Sequence, residues 1–203
     1  MKKYISRLLL RNDRFLNLFH AFGLAEATSQ STEAELDCLS RHASARGDAL
    51  EIGTRQGVSA VRILSRLQSN AKLYCVDPWL DRNGKRNWSY DICMRHFRRN
   101  GVADRVVLLR GFSQDMESRM PASFDFIFVD GDHSYQGIKT DWEIVGRRLR
   151  PGGIVCLHDT TQPKDAPGRT PDSCRFYREV ITGDANFEHL ETCYSLNVLQ
   201  RRS

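Results

Sequence analysis

The stretch ALEIGTRQGVSAVR, residues 49–62, decides the fold. Ala49, Leu50 and Ile52 make a short apolar run interrupted by Glu51. Gly53 and Gly57 then bracket a tight passage into a segment whose Ala60, Ile63, Leu64 and Leu67 recur at helical spacing. The pattern predicts strand, glycine loop, helix. Backbone N–H groups at such a helix start face a ligand, and the helix dipole favours a negative group there, such as a carboxylate or phosphate.

Glycine spacing narrows the ligand. A dinucleotide fingerprint needs G-x-G-x-x-G so that the backbone approaches a pyrophosphate, and a phosphate loop needs Lys followed by Ser or Thr after its last glycine. Neither is present: three residues separate Gly53 from Gly57, Ser59 follows, and Glu51 offers a carboxylate to a cationic ligand group. A ligand with an ammonium, a carboxylate and a ribose, but no phosphate, suits this loop. The stretch resembles the first motif of class I S-adenosylmethionine-dependent methyltransferases, and LEIGTRQGVSAVR looks like the catechol O-methyltransferase branch and its bacterial small-molecule relatives. Taken alone, the same residues also serve a plain strand-to-helix turn.

Composition sets outer bounds. At 203 residues, 40% hydrophobic and 27% charged, the chain suits one compact domain. The expected division is a helical N-terminal cap over residues 1–46 and a cofactor-binding core over 47–203. The six cysteines form no C-x-x-C pair, and Cys75 and Cys156 sit in apolar strand-like runs. A reducing, cytoplasmic setting is therefore expected. The apolar run Leu8, Leu9, Leu10 is short for a signal-peptide core, and no stretch nears the ~20 apolar residues of a membrane span. A net charge of +5 admits an anionic partner. The basic residues are scattered, however, and the clusters at Arg95 and Arg147 fall near predicted helix C-termini, where the dipole favours cations. No nucleic-acid face is expected.

In chain order, residues 3–24 carry Ile5, Leu8, Leu9, Phe15, Leu18, Phe19 and Phe22 between arginines, which predicts one or two amphipathic helices. They would pack on the domain, cap the site, make a homodimer contact or lie on a membrane surface. Thr32 followed by Glu35, Leu36 and Leu39 has the form of a capping box. Leu73 to Val76 predict a second strand ending at Asp77, near the ~20-residue offset at which an acid reaches ribose hydroxyls in doubly wound folds; a D-P turn is the alternative. Residues 80–90 are polar and predict a loop, residues 91–100 a helix stopped by Gly101, and RVVLLR, 105–110, a third strand. Ser113 and Gln114 follow it; in the catechol-like branch the matching residues line the adenine ring, and helix capping is their other use.

SFDFIFVDGDHSY, residues 123–135, predicts a central parallel strand buried on both faces that runs into Asp130, Gly131, Asp132 and His133. A helix with Ile138, Trp142, Val145 and Leu149 on one face should stop at Pro151, before a fifth strand at 154–157 ending in His158 and Asp159. DGDHSYQG followed by LRPGGIVCLHDT is similar to a bacterial subgroup that includes macrocin-type sugar O-methyltransferases. The loop 160–173, with Pro163, Pro167, Gly168 and Pro171, reads as a substrate lid. A helix at 174–181 and two antiparallel strands at 188–194 and 196–199 complete the chain.

The resemblance covers residues 49–160. It implies an α/β, Rossmann-like, seven-stranded, mostly parallel sheet with helices on both faces and a C-terminal antiparallel hairpin. Its cofactor is S-adenosylmethionine, held by Glu51, Gly53, Thr54, Gly57, Ser59, Asp77, Ser113, Gln114 and Asp130. The implied reaction is O-methylation of a small-molecule hydroxyl, on a sugar or a phenol. His133 takes the position of the general base, with Asp130 catalytic beside it. Asp130, His158 and Asp159 match the positions of a divalent cation's ligands, with a departure: His158 puts nitrogen where that branch has oxygen, which shifts preference from magnesium towards manganese, iron or zinc. A hydrogen-bonded strand-end pair is the cation-free alternative for His158 and Asp159. Two other classes share the opening motif: a nucleotide-cofactor oxidoreductase, against which the missing third glycine counts, and a non-catalytic module using the basic surface on RNA or membrane.

Overall fold

The computed structural model describes residues 13–80, 84–85, 87–163 and 170–203. Seven strands form one sheet in the order β3-β2-β1-β4-β5-β7-β6, where β1 is Ala49–Ile52, β2 Leu73–Asp77, β3 Val106–Arg110, β4 Phe124–Val129, β5 Leu149–Leu157, β6 Phe187–Cys193 and β7 Leu196–Arg201. β1 to β5 run parallel, and β7 enters antiparallel to both β5 and β6. Strand order reverses between β1 and β4, so a crevice opens beyond their carboxyl ends.

Alternation along the central strands feeds two cores. Ala49, Cys75, Phe126 and Phe128 point to one face, under α2 (Glu33–His42), α3 (Val58–Leu64) and α4 (Ser89–Arg99). Leu50, Ile52, Ile127 and Val129 point to the other, under α6 (Tyr135–Arg148) and α7 (Asp172–Glu179). All four residues of β1 are buried, as a strand covered on both faces requires.

The ladder continues one peptide past the strands. Gly53 N–H donates to Val76 O at 2.8 Å, Asp130 N–H to Ile52 O at 2.8 Å, and His158 N–H to Val129 O at 2.9 Å. These bonds align the first loop residues of three neighbouring strands along one rim. Gly53 adopts φ +96°, and a Cβ there would lie 2.0 Å from the Asp130 carbonyl oxygen. Gly57, at φ +78°, passes so close to the Phe97 ring that a Cβ would sit 2.5 Å from it. Both glycines answer to close packing as well as to conformation.

The Thr32–Glu35 capping box is present and opens α2. Of the amphipathic N-terminal segment, 1–12 lie outside the described residues; α1 (Asp13–Ala21) packs Leu16 on Ile92 of α4, and the Arg95 guanidinium hydrogen-bonds Asn17 and His20. Among the described residues before β1, those at 28–30 reach the crevice.

Two local expectations are corrected. Leu149 is not the last turn of α6: its backbone is extended at ψ 130° and it pairs with Phe124, so β5 begins there and carries Pro151 to Gly153 through an irregular register. Ser113 does not cap the short helix after β3: α5 (Ser113–Met116) begins at Ser113 itself, after Phe112, and is followed by a single 3-10 turn. In the expected lid, 164–169 lie outside the described residues, as do 81–83 and 86 in the polar loop. Arg147 and Arg148 do close a helix, and both pair with Glu117.

Candidate active site

The crevice is a cavity of about 690 Å³, within the range that holds small ligands. Its floor is the loop after β1 and its walls come from the ends of β2, β3 and β4. Three buried polar atoms in the β1 loop, Thr54 Oγ1, Arg55 Nη1 and Gln56 Nε2, have no hydrogen-bond partner among the described residues, and all three residues line the cavity. Unpaired buried donors are costly. Their concentration on one wall fits a polar ligand resting there. Gln56 is itself held from the other side, because its Oε1 accepts from Thr28 N–H at 2.8 Å and from Thr28 Oγ1 at 3.1 Å.

On the β2 wall, Asp77 Oδ2 accepts from Arg55 N–H at 2.8 Å and Oδ1 from Trp79 N–H at 2.6 Å. The acid therefore makes the turn and lines the cavity together; burial raises its pKa above the usual value, against those two backbone bonds. Arg55 and Trp79 both carry positive φ, 47° each, a conformation that costs non-glycine residues about 1–3 kcal/mol and gathers at functional rims. Beyond β3, Gln114 and Ser113 line the cavity, and the Ser113 hydroxyl donates to Asp141 Oδ1 at 2.6 Å. Asp141 is buried and also lines the cavity, and burial pushes its carboxyl up to about 6.

At the ends of β4 and β5 the acids and imidazoles meet. Asp130 Oδ1 lies 3.0 Å from His158 Nδ1 and 3.7 Å from His133 Nε2; His133 Nδ1 lies 3.7 Å from Asp159 Oδ2, and His158 Nδ1 is 3.6 Å from Asp159 Oδ1. Donor atoms of Asp130, His133 and His158 all fall within 4.8 Å of one another. His158 Nδ1 is buried and, despite its closeness to Asp130, lacks hydrogen-bond geometry. An orphaned imidazole nitrogen beside a carboxylate is what a cation ligand set offers, so the residues fit a divalent ion. As an ion pair instead, His158 is an imidazolium: burial opposes the charge, yet Asp130 and Glu35 outweigh it and raise its pKa to about 11. Asp159 holds φ +51°, and its carbonyl accepts from Ser173 Oγ at 2.6 Å. Strain fastened in this way is retained where function requires the geometry.

The sequence-predicted residues separate into groups. Gly53, Thr54, Ser59, Asp77, Ser113, Gln114, Asp130 and His133 line the cavity. His158 and Asp159 stand beside it, joined to it through Asp130 and His133. Gly57 shapes the turn against Phe97 and does not line the cavity. Glu51, expected at the ligand, is fully buried behind the wall, where the Ser59 hydroxyl donates to its Oε1 at 2.5 Å. It faces the helix-covered core because strand alternation sends it the same way as Cys75 and Phe128, its pairing partners on either side. Burial raises its pKa to about 7, opposed by the hydrogen bond from Ser59 and assisted by the nearby Asp130 and Asp77 carboxylates.

Sequence reasoning missed Asp141, Gln56 and residues 28–30. It read Glu35 only as a cap. Asp141 adjoins Trp142 on a helix whose spacing marks only its apolar face, and an acid set among those positions is the available signal.

Strand order, the switch-point crevice and the strand-end acids are those of the class I S-adenosylmethionine-dependent methyltransferase fold. A family model described as a methyltransferase domain matches residues 50–160, more than half of the chain, and the chain belongs to that family. It is 30% identical over 137 residues to a protein of Mycobacterium sp. (strain JLS) named "Putative O-methyltransferase", covering 66% of this chain and 57% of that protein. The chain thus spans little more than half the length of the curated O-methyltransferase relatives it matches. Among solved structures, the O-methyltransferase TomG of Streptomyces achromogenes, in complex with SAM, superposes with a TM-score of 0.65 at 22% identity, covering 98% of this chain and 95% of that one. An O-methyltransferase from Bacillus cereus in complex with SAH gives a TM-score of 0.67 at 21% identity, covering 100% and 96%.

Proposed function

We propose that the protein transfers the methyl group of S-adenosylmethionine to a hydroxyl oxygen of a small molecule, a sugar or a phenol. The observation that carries this reading is that the Asp130, His133 and His158 cluster opens onto the same cavity as the unpaired donors of the β1 loop. The names and bound ligands of the relatives and neighbours support it.

S-adenosylmethionine, when bound, supplies an electrophilic methyl carbon on a sulfonium. Gly53 and Thr54 would hold its amino-acid end, Asp77 its ribose, and Ser113, Gln114 and Asp141 its base, all of them residues that line the cavity. His133 removes the proton of the acceptor hydroxyl; Asp130 and Asp159, each 3.7 Å from one of its ring nitrogens, orient the ring and stabilise the imidazolium that results. Asp130 and His158, with Asp159 beside them, would hold a divalent cation, which would supply a lowered pKa to a coordinated hydroxyl. Six free cysteines, five of them buried, suit a reducing cytoplasmic setting. Among the described residues no helix is long and apolar enough to cross a membrane.

The test combines calorimetry with S-adenosylhomocysteine and methyl-transfer assays on a panel of sugar and phenolic hydroxyls. Binding of S-adenosylhomocysteine is expected, with kcat of His133→Ala reduced ~100-fold or more while its affinity for that ligand holds. Binding of NAD in place of S-adenosylhomocysteine would reverse the reading. Full turnover after exhaustive chelation with EDTA would remove the cation from it.

A further inference from the structure

Glu35 does more than a capping box asks. The cap needs a single bond from its side chain to the Thr32 N–H, which is present at 2.7 Å. Yet Glu35 is 1% exposed, whereas the first turn of a helix is ordinarily open to water. Its Oε2 also accepts from Thr32 Oγ1 at 2.9 Å, and its Oε1 from Ser195 N–H at 3.1 Å and Ser195 Oγ at 2.6 Å. Oε2 then faces His158 Nε2 at 3.6 Å, an ion-pair distance. Ser195, in the β6–β7 turn, returns the favour to the strand end: its carbonyl accepts from Thr160 N–H at 3.1 Å and Thr161 N–H at 3.2 Å, immediately after Asp159.

We propose that Glu35 is a positioning residue of the active site, whose carboxylate, facing His158 Nε2 at ion-pair distance, keeps the proton on that nitrogen and so leaves Nδ1 towards Asp130. An ionised carboxylate can only accept, so the nitrogen facing it must carry the proton. A carboxylate behind a functional imidazole fixes both ring orientation and tautomer, and losing such a partner typically costs ~10–100-fold in activity or metal affinity. Through Ser195 the same carboxylate braces the chain that follows Asp159. Glu35 and Ser195 both lie outside the matched residues 50–160, so the segments flanking the family core complete its site from behind.

This inference rests on the proposed function for its catalytic consequence but not for its geometry, and the experiment separates the two. Imidazole ¹H–¹⁵N spectra of the full-length protein in EDTA, with His158 assigned by His158→Gln, should show a slowly exchanging Nε2–H. Glu35→Gln should lose or shift that signal, and Thr32→Ala, which removes the hydroxyl but keeps the Thr32 N–H and both Ser195 bonds on the carboxylate, should keep it. Glu35→Gln should lower kcat ~10–100-fold with the S-adenosylhomocysteine affinity held within about twofold; Thr32→Ala should leave kcat within about twofold. Absence of a protected Nε2–H in the wild type would overturn the proposal even if Glu35→Gln does not fold. So would equal losses of kcat in Glu35→Gln and Thr32→Ala, which would reduce Glu35 to a cap. If the wild type binds no S-adenosylhomocysteine, the proposed function falls, while the ring signal still decides whether Glu35 sets His158.

Discussion

Replacing Glu51 by Gln should make the protein more stable at pH 8 relative to pH 4.5, by an amount the site itself sets. The carboxyl is fully buried, and its pKa rises from 4.5 to about 7, with burial the main cause. Between those values the folded chain holds a proton that the unfolded chain has released. The stabilisation is therefore complete below pH 4.5, falls as pH rises, and is gone above about pH 7. At about 1.4 kcal/mol per pH unit, the wild type loses about 3 kcal/mol across that window through this one group. Gln keeps the carbonyl oxygen that accepts from Ser59 but cannot ionise, so the variant escapes the loss. Any fixed cost of fitting the amide NH₂ is the same at every pH, and Asp77 and Asp141 titrate in both proteins. Urea melts at half-unit pH steps read the difference directly. With a slope of about 2 kcal/mol/M, the gap between the two midpoints should move by about 1.5 M from pH 4.5 to 8 in favour of the variant. Midpoints that run parallel across that range would refute the claim that Glu51 is buried and near neutral in the folded protein.

Gly53→Ala should lower stability by about 1–3 kcal/mol from its positive φ alone and abolish S-adenosylhomocysteine binding, because the added carbon meets the Asp130 carbonyl at 2.0 Å; thermal melts and calorimetry report the two effects. Phe128→Ala removes a fully buried ring that packs edge-on to His158 at a centroid distance of 6.4 Å, and chemical denaturation should show a loss of about 3–5 kcal/mol. Glu117→Gln breaks ion pairs to Arg147 and Arg148 at 2.9 and 3.3 Å on the surface, and the same assay should show a change below about 1 kcal/mol.

Much of this was legible beforehand where local pattern and tertiary role coincide. The apolar run of β4 had to be central because no polar residue except Asp125 breaks it, and the polar residues crowding its end had to face the crevice that a doubly wound sheet leaves there. Other features depended on which residues the fold would bring together. Glu35 and Ser195 meet across 160 positions of sequence, so nothing near Thr32 could tell a surface cap from a buried brace. Glu51 shares its face of β1 with Ala49 and lies between Cys75 and Phe128, so the strand carries it into the helix-covered core, where Ser59 closes over it; a carboxylate read beside a glycine loop gives no sign of that burial. Leu149 continued the helical spacing of Trp142 and Val145 by coincidence. Its burial beside Phe124 serves a strand equally well, and only the ladder decides between them.

Because Gly53, Asp130 and His158 each extend the hydrogen-bond ladder by one rung, the distances among them are ruled by the ~4.8 Å pitch of neighbouring strands and not by side-chain packing. The reacting end of the molecule is thus calibrated by main chain, which substitution scarcely alters. Residues 28–30 and Phe112 also line the cavity, but they stand outside that ladder and their spacing is left to side-chain contacts such as Thr28 on Gln56.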